Sequence, residues 1–575
     1  MSSSLLTPQL QRRGGSISEQ LDPSLPAILR RIYANRGVTT MQELDLSARG
    51  LIHFQQLKDC ERAAEIVAGA IEQHRKICIC GDFDADGATS VALLMSALRA
   101  MGATQLMYLV PNRFADGYGL SPGLVDYAHQ QGAELLITVD NGISSFTGVE
   151  RANQLGLQVI ITDHHLQGAE LPAAAAIVNP NRFDCSFPSK SLAGVGVAFY
   201  LLLAVRARFR QHRPDHIAAK INIADYLDLV ALGSVADVVP LDYNNRILVQ
   251  QGLGRIREGR CRPGILALLE VAGRDYRQIS AADLGFAVGP RINAAGRLDD
   301  IQMGIECLLA PDFQQARMIA LRLDELNRQR RQIEVDMQAD AERCLAQLSL
   351  QEQLPSILTV QDESFHQGVI GILAGRLKEQ YYRPVMVFAP ADGDELKGSC
   401  RSVTGVHIRD LLAQVASEAP GVISRFGGHA MAAGLSVPRA AWAEFNTVLQ
   451  RVAADWIGEG DLSRVIWSDG ELGSAELTLQ SAQVLQSAGP FGQDFPAPVF
   501  DGQFRVLDRR WLKDVHLKLQ LQPIAGGPAL DAIAFNVPRA AWEWREQQEI
   551  HLVYRLDVNE FRGVQSVQLM IEHIF

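Results

Sequence analysis

From about Glu61 onward, short apolar runs alternate with segments whose hydrophobic positions recur at helical spacing. A helix over Arg62–His74 precedes a strand over Lys76–Cys80 and a helix over Thr89–Met101. The strand LMYLV (106–110) follows, then a turn-rich loop, PNRFADGYGLSPG, and a helix over Leu124–Gln131. The strand ELLITV (134–139), a helix near Gly148–Leu155 and the strand LQVIIT (157–162) keep the rhythm. Apolar strands this short between helices predict a parallel sheet covered on both faces. Ligands bind such sheets at the carboxyl ends of the strands.

The rhythm changes after about Gly254. Residues 311–348 open on Pro311 and Asp312 and contain no internal proline or glycine. They predict one helix of about 50 Å, at about 1.5 Å per residue. Its apolar spacing is too irregular for a coiled coil, so a helix bridging two domains is expected. A second α/β segment runs from Leu354 to about Ala454. The last hundred residues carry repeated short strands (PVFDGQFRVLD, VHLKLQLQ, QEIHLVYRLDVNEF), which predict a small β-barrel. The fold class is therefore α/β: a parallel-sheet domain, a long connecting helix, a second α/β domain and a C-terminal barrel. The expected domains are an N-terminal arm (1–50), the parallel-sheet domain (51–310), the helix (311–350), the second α/β domain (351–455) and the barrel (456–575).

Candidate chemistry gathers where the strands end. Asp82, Asp84 and Asp86 follow the first strand, Asp140 follows ELLITV, and Asp163, His164 and His165 follow LQVIIT. Asp237 follows an apolar helix-like run and precedes Pro240; Asp228, farther up that run, reads as a helix-surface acid. Carboxylates gathered in one place repel unless one takes a proton or a cation neutralises them. Mixed carboxylate and imidazole ligands suit Mn²⁺, and carboxylate-rich sets suit Mg²⁺. The competing reading of Asp82 alone is a helix N-cap, and Asp163 is as well placed for a cap or for supporting a ligand as for ligation. GDFDADG resembles the start of a calcium loop, but position 12 from Asp82 is Leu93 and not the required glutamate. A phosphate-binding GxxxxGK[ST] loop, a GxSxG elbow and paired CxxC motifs are all missing from the sequence.

Composition adjusts the picture only in part. At 575 residues the chain is too long for one core, and its net charge of −11 argues weakly against a polyanionic partner. Residues 505–518 counter this locally: Arg505, Arg509, Arg510, Trp511, Lys513, His516 and Lys518 stand against only Asp508 and Asp514. The eight scattered cysteines argue against a disulfide framework and for a reducing cytoplasm, Cys78 and Cys80 reading as core thiols, and neither a signal peptide nor a membrane span is expected.

GDFDADG, TVDNGIS, TDHH and GSVAD, in this order, resemble the motifs of the DHH phosphoesterase superfamily. NPNR (179–182), LAGVGVAF (192–199), GPRINAAGRLDD (289–300), SFHQGVIGILAGRLKEQYYRP (364–384), GSCRSVTG (398–405) and FGGHAMAAG (426–434) extend the likeness to the bacterial RecJ exonuclease family, from about residue 45 onward. The resemblance implies single-strand-specific 5′→3′ exonuclease activity that releases 5′-mononucleotides in recombination and repair. It implies two divalent ions, Mn²⁺ or Mg²⁺: Asp84 with Asp82 nearby on one, Asp140 bridging, and Asp86, His164 and Asp237 on the other. Small-substrate members carry a histidine where this chain has Cys80, which Asp82 is expected to replace. Catalytic roles fall to Asp140, Asp163 and His165, the last as phosphate contact or proton donor.

The resemblance further implies a DHHA1 substrate domain and an oligonucleotide-binding (OB) barrel. Candidate phosphate contacts are Arg291, Asn293 and Arg297 in GPRINAAGR, and Arg401, Gly427, Gly428 and His429 in the later motifs. A Gly-rich turn that merely packs a helix on a strand is the plainer alternative for FGGHAMAAG. DNA contacts in the barrel are expected from Arg509, Arg510, Trp511, Lys513 and Lys518. The expected partners are single-stranded DNA with a free 5′ end, and a single-stranded-DNA-binding protein and a DNA helicase, acting with a monomer. A phosphoesterase for very short or cyclic nucleotides, and a DNA-binding scaffold with a decayed site, are the competing readings.

Overall fold

The computed structural model describes residues 8–111, 119–348, 354–537 and 548–575. It divides into two compact units, one of Arg12–Asp324 with Trp467–Phe575, the other of Glu325–Ile466 with the chain up to Gln11. The loop expected after Val110 falls largely outside the described residues.

The first unit holds a five-stranded parallel sheet in the order Leu106–Leu109, Ile77–Cys80, Leu135–Val139, Gln158–Thr162, Ala176–Val178. Ile77–Cys80 is buried throughout, as an inner strand covered on both faces should be. Cys78, Cys80, Leu136, Val159 and Ile161 share one core with Val125, Ala128, Val149 and Ala152 of the helices Pro122–Gln130 and Phe146–Gln154. The last strand, only three residues long, escapes periodicity. The order reverses between the first and third strands in sequence, Ile77–Cys80 and Leu135–Val139, the switch point at which such sheets open a crevice.

Three helices complete the setting. Ala85–Ala100 starts four residues before the expected Thr89, because Asp84 caps it and the acidic turn is already helical. Gly194–His212 and Leu227–Ala236 are apolar on almost every side and pack against it. Asp228 corrects the sequence reading: it is wholly buried, accepts from the amides of Leu229 and Arg262, and faces the Arg262 guanidinium at 3.6 Å. An acid in the first turn of a buried helix meets amides, not solvent.

The helix Phe313–Leu348 runs from one unit into the other and spans roughly 54 Å. The second unit holds a mixed sheet ordered Arg425–Gly428, Ala432–Pro438, Glu395–Arg401, Val385–Pro390, Leu358–Gln361, with only the last pair parallel. Leu411, Leu412, Val415, Phe445 and Leu449 of the helices Ile408–Glu418 and Trp442–Trp456 share its core. In the first unit Phe500–Leu512, His516–Pro523, Leu530–Ala534, Val564–Ile574 and Glu549–Phe561 close into a five-stranded barrel. A barrel of this size leaves no open edge.

The N-terminal arm, which carried no legible chemistry, is tied to the base of this barrel by buried charge. Arg36 grips Asp469 through two nitrogens at 3.0 and 3.1 Å, and Asn35 donates to the same carboxylate at 2.9 Å. Arg12 grips the fully buried Asp501 at 3.0 and 2.6 Å. Burial alone would raise Asp469; the Arg36 and Asn35 hydrogen bonds overturn that and hold it below its ordinary value. Arg36→Met removes the cation that hydrogen-bonds the buried Asp469, leaving it only the Arg13 cation at 3.8 Å, and should cost about 3 kcal/mol. Hydrogen exchange should then quicken in Phe500–Leu512 while Val385–Pro390 in the other unit stays unchanged.

Candidate metal and phosphodiester site

The acids meet because parallel strands end on one edge and each turn is tied down by backbone hydrogen bonds. Asp84 Oδ1 accepts from the amides of Asp86 and Gly87 at 3.0 and 3.1 Å, so the helix N-cap is Asp84 and not Asp82. Asp86 accepts from the amides of Gly194 and Val195 at 2.6 and 3.0 Å, at the start of a helix whose dipole favours an anion. Asp140 sits at φ 61°, in the left-handed region, and is 2% exposed. Asn141 holds that turn by donating to the carbonyls of Cys80 and Val139. Asp237 closes the helix Leu227–Ala236, followed by Val238 at φ 59°, a conformation that a β-branched residue adopts only under strain.

Two glycines make the crowding possible. A Cβ on Gly194 would lie 2.6 Å from Asp140 Cβ, and one on Gly233 would lie 2.8 Å from Asp86 Oδ1. Any larger residue at either position would push an acid out of place.

The DHH turn divides its labour. Asp163 Oδ1 accepts from the amides of His164 and His165 and from His165 Nδ1 at 2.8 Å, while Oδ2 accepts from Ile143 N. Asp163 therefore organises the turn, and no candidate cation cluster among the described residues includes it. Asn179 and Asn181 donate to the carbonyls of His165 and His164, which gives the NPNR motif its structural meaning. His164 Nε2 is buried, makes no hydrogen bond, and lies 3.1 Å from Asp140 Oδ1 and 3.5 Å from Asp237 Oδ2.

Electrostatics separates the two histidines. Burial and the His165 charge push His164 down to about 4, so at neutral pH its ring offers a lone pair. For His165, burial pulls downward, but the hydrogen bond and charge of Asp163 prevail and lift it to about 9. Burial, then the neighbouring Asp84, lifts Asp86 to about 7. Burial, then Asp86 and Asp84, raise Asp140 and Asp237 well above the usual carboxylate range. These acids would hold protons unless a cation took their place.

The donor set fits divalent cations. Asp82, Asp84 and Asp140 form one cluster and Asp86, His164 and Asp237 a second that shares no residue with it; each cluster's ligand atoms lie within 4.8 Å of one another. A third grouping joins Asp140 with His164 and His165. A neutral buried imidazole nitrogen without a hydrogen bond, aimed among carboxylates, is what a borderline cation requires.

The other expected residues divide by unit. Asn293, a candidate phosphate contact, accepts from Ala85 N at 2.8 Å through Oδ1 and so also braces the acidic turn. Arg291 is likewise engaged: it is buried, donates to Ala287 O and pairs with Asp324 at 2.7 Å. Arg297 is half-buried in the last turn of the same helix, Gly289–Leu298. Arg401, Gly427, Gly428 and His429 belong to the other unit. There FGGHAMAAG is a β-hairpin and not a helix-packing turn: Gly427 faces Gly434, and His429 N donates to Ala432 O. Arg401 lies across from Ala432, and its guanidinium donates to Cys400 O and Ser399 Oγ. In the barrel Arg509 and Arg510 are exposed, Trp511 is half-buried, Arg510 faces Lys518 in register, Lys513 lies in the turn, and Lys518 pairs with Asp531 at 2.8 Å.

Comparison with known proteins agrees with this arrangement. The N-terminal domain of the DHH family matches residues 76–234, the DHHA1 domain 354–458 and the RecJ OB domain 468–573. The single-stranded-DNA-specific exonuclease RecJ of Dickeya dadantii is 55% identical over 570 residues, 99% of both chains. The chain belongs to the RecJ family. Two crystal structures of RecJ from Thermus thermophilus, in complex with Mn²⁺ and with Mg²⁺, are similar at TM-scores of 0.79 and 0.73 and 27% and 26% identity. The likeness covers 95% of this chain in both cases, and 76% and 74% of those chains. The RecJ-family frame thus accounts for the parallel sheet, the long helix, the mixed sheet and the barrel.

His165 supplies a direct test. Its folded pKa lies above the ordinary 6.5, so its contribution to stability is full below about pH 6.5 and disappears as pH rises through about 9. In metal-free protein the His165 ring-proton NMR signal should titrate near pH 9. In Asp163→Asn it should fall to 6.5 or below, and stability should no longer decline over that range. A wild-type midpoint under 6.5 would contradict the Asp163 pairing.

Proposed function

We propose that this chain is a metal-dependent exodeoxyribonuclease specific for single-stranded DNA, which hydrolyses phosphodiester bonds from a free 5′ end and releases 5′-mononucleotides in recombination and repair. The observation that carries this reading is the pair of disjoint three-ligand clusters on one sheet edge, in a chain 55% identical to a RecJ exonuclease. Asp82, Asp84 and Asp140 would hold one divalent ion, Mn²⁺ or Mg²⁺, and Asp86, His164 and Asp237 the other, with Asp140 between them. When bound, such a pair supplies Lewis-acid polarisation of the phosphoryl group and a nucleophile from water at neutral pH.

The chain's own groups do the rest. Asp84 and Asp86 are fixed by amide hydrogen bonds, so the ligand set needs little rearrangement. His164 stays neutral and offers Nε2. His165, protonated at neutral pH and braced by Asp163, is suited to bind a phosphate oxygen or to give a proton to the leaving oxygen. Arg297 contributes positive charge to this unit. Arg401 with the hairpin Gly427–His429 forms the substrate-binding part of a DHHA1 domain (351–455), joined to the catalytic domain (51–310) by the helix 311–350.

In the barrel domain (456–575), Arg509, Arg510, Lys513 and Lys518 contact the DNA backbone and Trp511 stacks on a base. The protein acts as a monomer in the cytoplasm, on strands exposed by a helicase and coated by a single-stranded-DNA-binding protein. No helix among the described residues is long and apolar enough to cross a membrane.

Digestion of 5′- and 3′-labelled single strands with Mn²⁺, beside a duplex control, tests the reaction. Label should leave the 5′ end first as a mononucleotide, and the duplex should persist. Asp140→Ala should abolish hydrolysis while leaving single-strand affinity largely intact; retained activity would exclude the bridging role.

The barrel predicts a different signature. Arg510→Ala with Lys513→Ala should weaken binding to long strands without changing hydrolysis of very short ones. The salt dependence of binding should flatten by about 0.7 for each phosphate that is no longer neutralised. An unchanged slope would assign these side chains to solvent.

A further inference from the structure

A cavity of ≈ 400 Å³ that shares no residue with the acid clusters lies among three separate segments of the first unit. The arm contributes Tyr33 and Ser47, the helix Tyr243–Arg257 contributes Arg246, Gln250 and Gln251, and the segment leading to the barrel contributes Ser487. Two buried polar atoms on its lining, Arg246 Nε and Ser47 Oγ, make no hydrogen bond.

Arg246 is the unusual member. It is 5% exposed, and among the described residues no hydrogen bond or ion pair engages its guanidinium. The ring of Phe495 lies 4.3 Å from it and that of Tyr243 5.7 Å, which favours the cation but supplies no acceptor for its N–H groups. The carboxylates acting on it through space, Glu43 and Asp242, neither hydrogen-bond nor ion-pair with it, and each has an oxygen engaged elsewhere. Glu43 accepts from the amides and hydroxyls of Thr39 and Thr40, and Asp242 caps the helix at Asn245 N. The lining itself contains no acid. A nearly buried cation facing a polar cavity calls for an anion.

We propose that this cavity binds a small phosphate monoester, with Arg246 and Ser47 donating to the phosphate oxygens and the Tyr33 side receiving the substituent. The volume exceeds what a bare phosphate fills, and Leu44 and Leu46 give the remaining space an apolar wall. Tyr33 holds its place by donating to Ala488 O at 3.2 Å. A ligand there would join the arm, the catalytic-domain helix and the base of the barrel. It would stabilise the folded unit in proportion to its occupancy.

Thermal unfolding of the full-length protein without divalent metal tests this, with inorganic phosphate and thymidine 5′-monophosphate as probes and acetate as a charge control. Near saturation the midpoint should rise by at least about 2 °C. The rise should vanish in Arg246→Gln and in Ser487→Trp, which fills the rim while keeping the guanidinium, and should persist in Asp140→Ala. If Arg246→Gln does not fold, Ser487→Trp decides. A response to the nucleotide at lower concentration than to phosphate supports the monoester assignment; an equal or stronger response to inorganic phosphate overturns it, because the substituent is then not held. No rise, an equal rise with acetate, a rise retained in Ser487→Trp, or one lost only in Asp140→Ala would overturn the proposal.

Discussion

Mutual repulsion among buried carboxylates is the constraint around which this catalytic domain is arranged. Asp82, Asp86 and Asp140 are each at most 4% exposed, in surroundings that screen charge poorly. Left to themselves such groups take up protons or move apart. Here the sheet, three helices and two close-packed glycines hold them within ligand distance. The backbone strain at Asp140 and Val238 lies beside the same cluster. Divalent cations would offset the repulsion, and the donor set fits them.

Fixed dipoles, not side-chain cations, do most of the holding. Asp84 and Asp163 accept amide hydrogen bonds of their own turns, and Asp86 accepts two from the start of the helix Gly194–His212. Amides neutralise part of the charge without competing with a cation for the carboxylate oxygens, as a lysine or arginine beside the ligands would. Arg291 accordingly pairs with Asp324 instead of the acid cluster, and Asn293 braces Ala85. Residues that look like substrate contacts in a motif can be the scaffold that keeps the ligands in place.

Buried charge recurs at the base of the barrel with the opposite solution. Asp469 and Asp501 lie deep, but each is matched by an arginine from the arm, so they remain ionised and act as anchors. The same residue type thus makes a candidate cation site where acids meet acids, and a fastening where acids meet guanidinium groups.

Hydrophobic rhythm in the sequence determined the parallel sheet, the long helix and the barrel, because burial on two faces, on one stripe or on alternate residues leaves distinct spacings. Acids and histidines at the ends of apolar runs, with the ordered motifs of the RecJ family, marked every residue of the two candidate cation clusters. Partnership was not legible, because it depends on elements far apart in the chain. That Asp84 is the cap, that Asp228 is buried against Arg262, that Arg291 is engaged by Asp324, and that the arm carries Arg12 and Arg36 to the barrel were decided by tertiary packing alone. A side chain's role depends on which dipoles and charges reach it, and spacing along a chain records only the nearest of these.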